Sequence, residues 1–173
     1  MIYLQCTGNV RKKLGLAQEE LQAAPAPNSP LGNWTLNYIP LGGRWAFLFM
    51  SDLSLLSFPI MEGKLTLEVQ DVPPFLRHGM TQLMEIVKAP RKLYASLLQD
   101  TDKVALTKAT NRSLLAVQSA IAEDYFRRVE AAGGIERASL GEIIVAVNST
   151  PRSKLKWATS FEVTLGLLRE NAA

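Results

Sequence analysis

A chain of 173 residues is long enough for one domain with a sizeable core and short for two. Its 47% hydrophobic and 20% charged residues are globular in proportion and exclude a disordered or low-complexity protein. A net charge of +3 permits an anionic partner without demanding one, because dedicated nucleic-acid binders concentrate their excess charge more heavily.

In chain order, residues 2–6 alternate as a short strand, and Thr7-Gly8 opens a helical turn whose Val10, Leu14, Leu16 and Leu21 are available to a core. Arg11, Lys12 and Lys13 form a basic triplet expected on the solvent side. Pro25, Pro27 and Pro30 mark residues 23–33 as an irregular surface loop. Strands follow at 34–39 and 44–50 about a Gly42-Gly43 turn. A third spans 54–60, where Pro59 points to a strand end or a sheet edge.

Pro73-Pro74 opens a helix over 74–88, which breaks at Ala89-Pro90 and resumes over 92–98. Residues 103–108 alternate again as a strand. The longest helix spans 111–132, with Leu114, Val117, Ile121, Tyr125 and Val129 along one face, and Gly133-Gly134 stops it. Ser139-Leu140-Gly141-Glu142 has the spacing of a capping box for a helix over 139–148, and Pro151 blocks its continuation. Residues 154–157 read as extended, and Thr159 or Ser160 caps a last helix over 160–170.

These elements predict a single α+β domain over residues 1–173. Its small, mostly antiparallel sheet (2–6, 34–39, 44–50, 54–60 and 103–108) is covered by four or five helices in a single layer pair. Leu4, Phe47, Phe49, Leu83, Leu114, Ile121 and Tyr125 are the expected core.

No motif of established chemistry appears: no phosphate loop, GxGxxG, CxxC, HExxH or GxSxG. Cys6 is the only cysteine and sits in an apolar strand pattern, so a buried thiol is expected and neither an intramolecular disulfide nor a thiolate zinc cluster is. His78 is the only histidine and reads as an exposed or capping residue; no metal site and no cofactor are expected. The neighbouring carboxylates Glu19-Glu20 and Glu123-Asp124 diverge on a helix and read as solubilising charge. No apolar run approaches the roughly 20 residues of a membrane span, and the start lacks a basic-then-apolar leader, so the expected location is the cytoplasm.

Two stretches carry suggestive chemistry. In Lys108-Ala109-Thr110-Asn111-Arg112-Ser113 a strand runs into the longest helix, Thr110 or Asn111 can cap it, and Arg112 lies at the positive end of the helix dipole. A cation beside free backbone donors describes either an anion site or an ordinary buried ion pair. In Arg152-Ser153-Lys154-Leu155-Lys156-Trp157 three cations alternate with other residues before an indole on which a base could stack. Alternation along a strand would put Arg152, Lys154 and Lys156 on one face and turn Trp157 inward. A cationic edge strand that resists aggregation has the same pattern.

Taken together, several segments carry a family resemblance. The chain starts Met1-Ile2-Tyr3-Leu4-Gln5-Cys6-Thr7, continues with Pro30-Leu31-Gly32-Asn33-Trp34, and has Thr107, Lys108, Asn111, Arg112, Ser113 and Leu115 in a Thr-Lys-x-x-Asn-Arg-Ser-x-Leu arrangement. Gly133-Gly134 then precedes Asn148 and Pro151. Over nearly its whole length the chain resembles a family of small bacterial proteins known only as a domain of unknown function. That family has a Leu-Gly-Ser-Met-Asn-Asp-like run where this chain reads Leu115-Ala116-Val117-Gln118-Ser119-Ala120, so its polar Asn-Asp pair is missing here. The resemblance implies relatives and no activity.

Two functional readings follow. In the favoured one the protein is a non-catalytic interaction or accessory protein in a bacterial stress, toxin–antitoxin or defence setting. Its partner is another protein and not a membrane, and Lys108, Thr110, Asn111, Arg112 and Asn148 form the candidate ligand-binding cluster. In the alternative it binds nucleic acid or a phosphorylated ligand through Arg112, Lys108 and the segment with Arg152, Lys154 and Lys156, with weak phosphodiester hydrolysis conceivable through Arg112, Lys108 and Tyr125. No residue is assigned a catalytic role.

Overall fold

The computed structural model describes residues 1–64 and 66–173. The segments expected as sheet strands become β1 (Ile2–Cys6), β2 (Trp34–Leu41), β3 (Arg44–Ser51), β4 (Ser57–Met61) and β5 (Val104–Lys108). The helices are α1 (Gly8–Leu14), α2 (Val72–Ile86), α3 (Arg91–Asp100), α4 (Arg112–Ala131), α5 (Leu140–Asn148) and α6 (Ser160–Ala172). The domain is α+β.

The strands form one sheet in the order β4-β3-β2-β1-β5. β2, β3 and β4 make the expected antiparallel meander, with Tyr38 opposite Phe47 and Phe49 opposite Phe58. β1, however, runs parallel to both neighbours, pairing Leu4 with Trp34 and with Leu106. The sheet is therefore mixed, not mostly antiparallel. Parallel pairing needs a crossover of a dozen residues or more, and the segment 7–33 with α1, like the segment 62–103 with α2 and α3, is long enough to supply one. Strand direction is set by how those crossovers pack, which alternation within a strand does not encode.

The expected single layer pair is also corrected, because helices cover both faces of the sheet. Phe47 and Phe49 of β3 join Leu4, Leu36 and Phe58 in a core closed by Leu76, Met80 and Leu83 of α2, Leu97 of α3 and Leu168 of α6. Ala46, Leu48 and Met50 of the same strand point the other way, into a second core with Ile121, Tyr125 and Val129 of α4 and Ile143 and Val147 of α5. A strand buried on both faces reads as a continuous apolar run, which is what residues 45–50 are. Leu114 is only partly buried at the rim of the second core; the other expected core residues are buried.

Local signals place the elements. Asn111 caps α4, accepting from the Leu114 amide at 3.1 Å, and Gly133 and Gly134 end the helix with φ of 91° and 101°. Thr159 and Glu162 form a capping box at α6, whereas Ser139 precedes α5 without a side-chain cap bond. Gly79 allows α2 to approach the sheet, since a Cβ there would stand 2.0 Å from Phe58 Cε2.

Candidate functional site

The 149–159 segment does not form the expected strand. A 3-10 turn at Ser153–Leu155 is followed by Lys156 and Trp157 with φ of 53° and 66°, and the turn closes as the Trp157 amide donates to the Arg152 carbonyl at 2.9 Å. Non-glycine residues with positive φ are strained. Four occur among the described residues, and three of them, Leu55, Lys156 and Trp157, line or flank one groove.

That groove holds about 300 Å³. Its floor is Leu55, Val117, Ala120 and Ile121, and its wall is Pro151, Arg152, Ser153, Lys154 and Trp157. Instead of turning inward, Trp157 is 71% exposed, more than any other large hydrophobic residue named among the described ones. The lining contains no histidine and no carboxylate, so no acid–base pair faces the groove.

The predicted nucleic-acid residues divide. Arg152 is fixed in the fold: its Nη2 donates to Asp124 Oδ2 at 3.1 Å and to the Val147 carbonyl at 3.2 Å. Asp124 also accepts from Arg128 Nε at 2.9 Å, so this carboxylate is an ion-pair hub and not solubilising charge. Lys154 is exposed and donates from Nζ to Ser113 Oγ, which brings it to the first turn of α4. Lys156 is exposed on the strained turn.

The predicted ligand-binding residues divide as well. Arg112 is exposed and forms no hydrogen bond or ion pair among the described residues, so the buried-pair explanation does not hold. It neighbours Ser113 and hence Lys154. Thr110 and Asn111 are exposed, and Asn111 spends its side-chain oxygen on the helix cap. Lys108 is partly buried at the end of β5, where its amide donates to the Gln22 carbonyl at 2.8 Å.

Asn148 belongs elsewhere. It is fully buried, accepts from the Ser57 amide at 2.9 Å, and donates to the Ser57 and Ile144 carbonyls, each at 2.8 Å. Tyr125, fully buried beside it, bonds Ser57 as well, and burial drives its phenol well above the ordinary tyrosine range. This knot ties α4 and α5 to β4 and has no free group to offer a ligand. Cys6 is buried, as expected, and burial pushes its thiol up to about 12; His78 is exposed.

One polar cluster escaped the sequence. Asp52, just after β3, accepts from Thr35 Oγ1 at 2.8 Å and from Gln5 Nε2. Burial raises its carboxyl to about 6 against the pull of those two bonds. Thr35, Gln5 and Thr107 stand in register across β2, β1 and β5, so the signal was only their matching positions in separate strands.

A family model described as a domain of unknown function (DUF6933) matches residues 3–163. The chain belongs to that family. The match takes in the sheet but for Ile2, together with the groove and the start of α6, so the Trp157 turn lies within the matched region. No curated protein and no solved structure matches the chain. Among the described residues no group of acidic, histidine or cysteine side chains is placed to hold a metal ion, and no helix is long and apolar enough to cross a membrane.

Proposed function

We propose that this protein is a non-catalytic interaction protein whose docking surface is the Trp157 groove, and that its partner is a protein segment with an apolar residue flanked by acidic ones. The observation that carries the reading is the 71% exposure of Trp157 on a strained turn beside an apolar groove. Holding an indole in water at the tip of a strained turn opposes folding, and strain of this kind clusters at ligand clamps. The surroundings match an interface anchor. Tryptophan is enriched at the energetic centres of protein interfaces, and Leu55, Val117, Ala120 and Ile121 offer a small apolar socket beside it.

Charge supplies the rest of the complementarity. Arg112, Lys154 and Lys156 are exposed around the groove, while Asp124 of α4 is spent on Arg128 and Arg152. Cations of this kind steer an acidic partner and set its register more than they add affinity. The aliphatic floor of Leu55, Val117, Ala120 and Ile121 favours a side chain over a run of stacked bases, which would need a succession of aromatic platforms. A setting in bacterial stress, toxin–antitoxin or defence responses, in the cytoplasm, fits a small adaptor of this type.

A displayed peptide library selected on the wild-type protein and counter-selected on Trp157→Ala tests the reading. Enriched peptides should share one large apolar residue between Asp or Glu. Failure to enrich any acidic–apolar pattern overturns it. A labelled oligothymidine that binds more tightly than the best peptide, and loses affinity in Trp157→Ala, transfers the groove to single-stranded nucleic acid.

A further inference from the structure

Across the sheet from that groove, α1, β2 and β3 enclose a second hollow of about 440 Å³, lined by Asn9, Lys12, Lys13, Tyr38 and Trp45. Tyr38 and Trp45 come from adjacent strands, and their rings stack with centroids 4.8 Å apart at 17°. Tyr38 also packs on buried Phe47 at 4.9 Å, so the aromatic shelf is rooted in the core. Trp45 nevertheless remains 48% exposed.

The shelf is held by a closed set of polar bonds. Glu62 accepts from Lys13 Nζ at 2.8 Å and from Tyr38 Oη, and the Lys13 ammonium stands 5.2 Å from the Tyr38 ring centroid. Burial pushes the Glu62 carboxyl up, but the bonds from Lys13 and Tyr38 outweigh it and hold the group ionised below its ordinary range. The Glu62 carboxylate is thereby consumed by Lys13 and Tyr38. Arg11 turns back to the Cys6 carbonyl at 3.2 Å, contrary to the expected solvent-facing triplet. Lys12 is left exposed at the rim, without an ion pair among the described residues, next to the exposed amide of Asn9.

A half-exposed indole on a rigid shelf, beside an uncommitted ammonium and a primary amide, complements a planar aromatic ring that carries a phosphate. We propose that this hollow is a nucleotide site in which Trp45 stacks on the base, Lys12 meets the phosphate and Asn9 hydrogen-bonds the ligand. The same chemistry is presented by a free mononucleotide and by one nucleotide of a single strand.

The three indole N–H signals of the labelled protein give a direct readout, assigned with Trp45→Phe. Titration with AMP should shift the Trp45 signal saturably and leave those of Trp34 and Trp157 in place. Adenosine, which lacks the phosphate, and Lys12→Ala with AMP should each show affinity weaker by about tenfold, the value of one charge-assisted contact. Trp45→Ala should abolish the calorimetric heat of AMP binding while the circular dichroism of the fold is retained. No saturable shift with millimolar AMP overturns the proposal, and so does an affinity that Lys12→Ala leaves unchanged. Inorganic phosphate that binds as tightly as AMP overturns the stacking role. Equal affinity for AMP and an oligoadenylate names the free nucleotide as source, and a large gain with the oligomer names the strand. Because Trp157 is read separately, failure here leaves the Trp157 groove untouched, and the reverse is also true.

Discussion

Arg152 and Asp124 join across 3.1 Å between the 149–159 loop and the middle of α4, and each side chain is only 16% exposed. This bond sets the wall of the Trp157 groove, because the same loop carries Lys154, Lys156 and Trp157. Breaking it leaves a largely buried carboxylate with Arg128 alone. Arg152→Ala should lower unfolding free energy by about 2 kcal/mol, the scale expected for a largely buried ion pair with a surviving partner. Urea denaturation followed by circular dichroism measures this, and a loss below about 0.5 kcal/mol would show that the loop is held by other contacts.

Trp157→Ala should leave stability within about 0.5 kcal/mol of wild type, as for surface changes generally, and removing a bulky residue from positive φ adds no strain. Thermal unfolding decides it. A substantial drop would mean that the indole contributes packing, and its exposure would lose its functional meaning.

Asn148→Ala should be among the costliest polar changes in the chain. It strands the buried Ser57 amide, at a cost of about 1–3 kcal/mol, and takes one of two donors from the Ser57 carbonyl, which keeps the Tyr125 hydroxyl. Tyr125→Phe removes a single hydroxyl from the same knot and should cost about 1 kcal/mol. Equal losses for the two variants would argue that Asn148 does not carry the extra bonds to Ser57.

Asp52 should make the protein less stable as pH rises from about 4 to about 6. Its carboxyl is raised from 3.8 to about 6 in the folded state, chiefly by burial. The folded protein therefore holds the proton more tightly than the unfolded chain, and the resulting stability is present below the unfolded value and lost as pH climbs through the folded one. Asp52→Asn stays neutral, so its stability relative to wild type should grow across that interval and level off above it. Denaturation at pH 4, 5, 6 and 7 gives the difference, and parallel profiles for the two proteins would refute the assignment.

Gly79→Ala tests the approach of α2 to the sheet. The new Cβ would meet Phe58, itself stacked on Phe49 at 5.1 Å and unable to retreat. Overpacking at this site should cost about 3 kcal/mol or more despite the better helix propensity of alanine. A stabilised variant would mean that α2 rides further from the sheet.

Much of the local architecture was legible in the chain. The alternation in 34–39, the apolar run in 44–50, Gly42-Gly43 between them, Asn111 before a period of Leu114, Val117, Ile121 and Tyr125, and Thr159 ahead of the last helix each name an element through short-range chemistry. What covers a strand, and which way its neighbour runs, depends on segments tens of residues away. β1 pairs with β5 although about a hundred residues separate them, and no periodicity in either reports it.

The candidate site followed the same division. The sequence by itself determined the α+β class, that helix α4 begins at a capped turn bearing Arg112, and that cations cluster around Trp157. Tertiary structure alone decided that Trp157 faces water, that Arg152 and Asn148 are tied into the fold, and that Lys154 reaches Ser113. The reason is physical: propensity and capping act within a few residues, whereas burial is a property of what packs from elsewhere, and burial decides whether a polar or aromatic side chain is scaffold or surface.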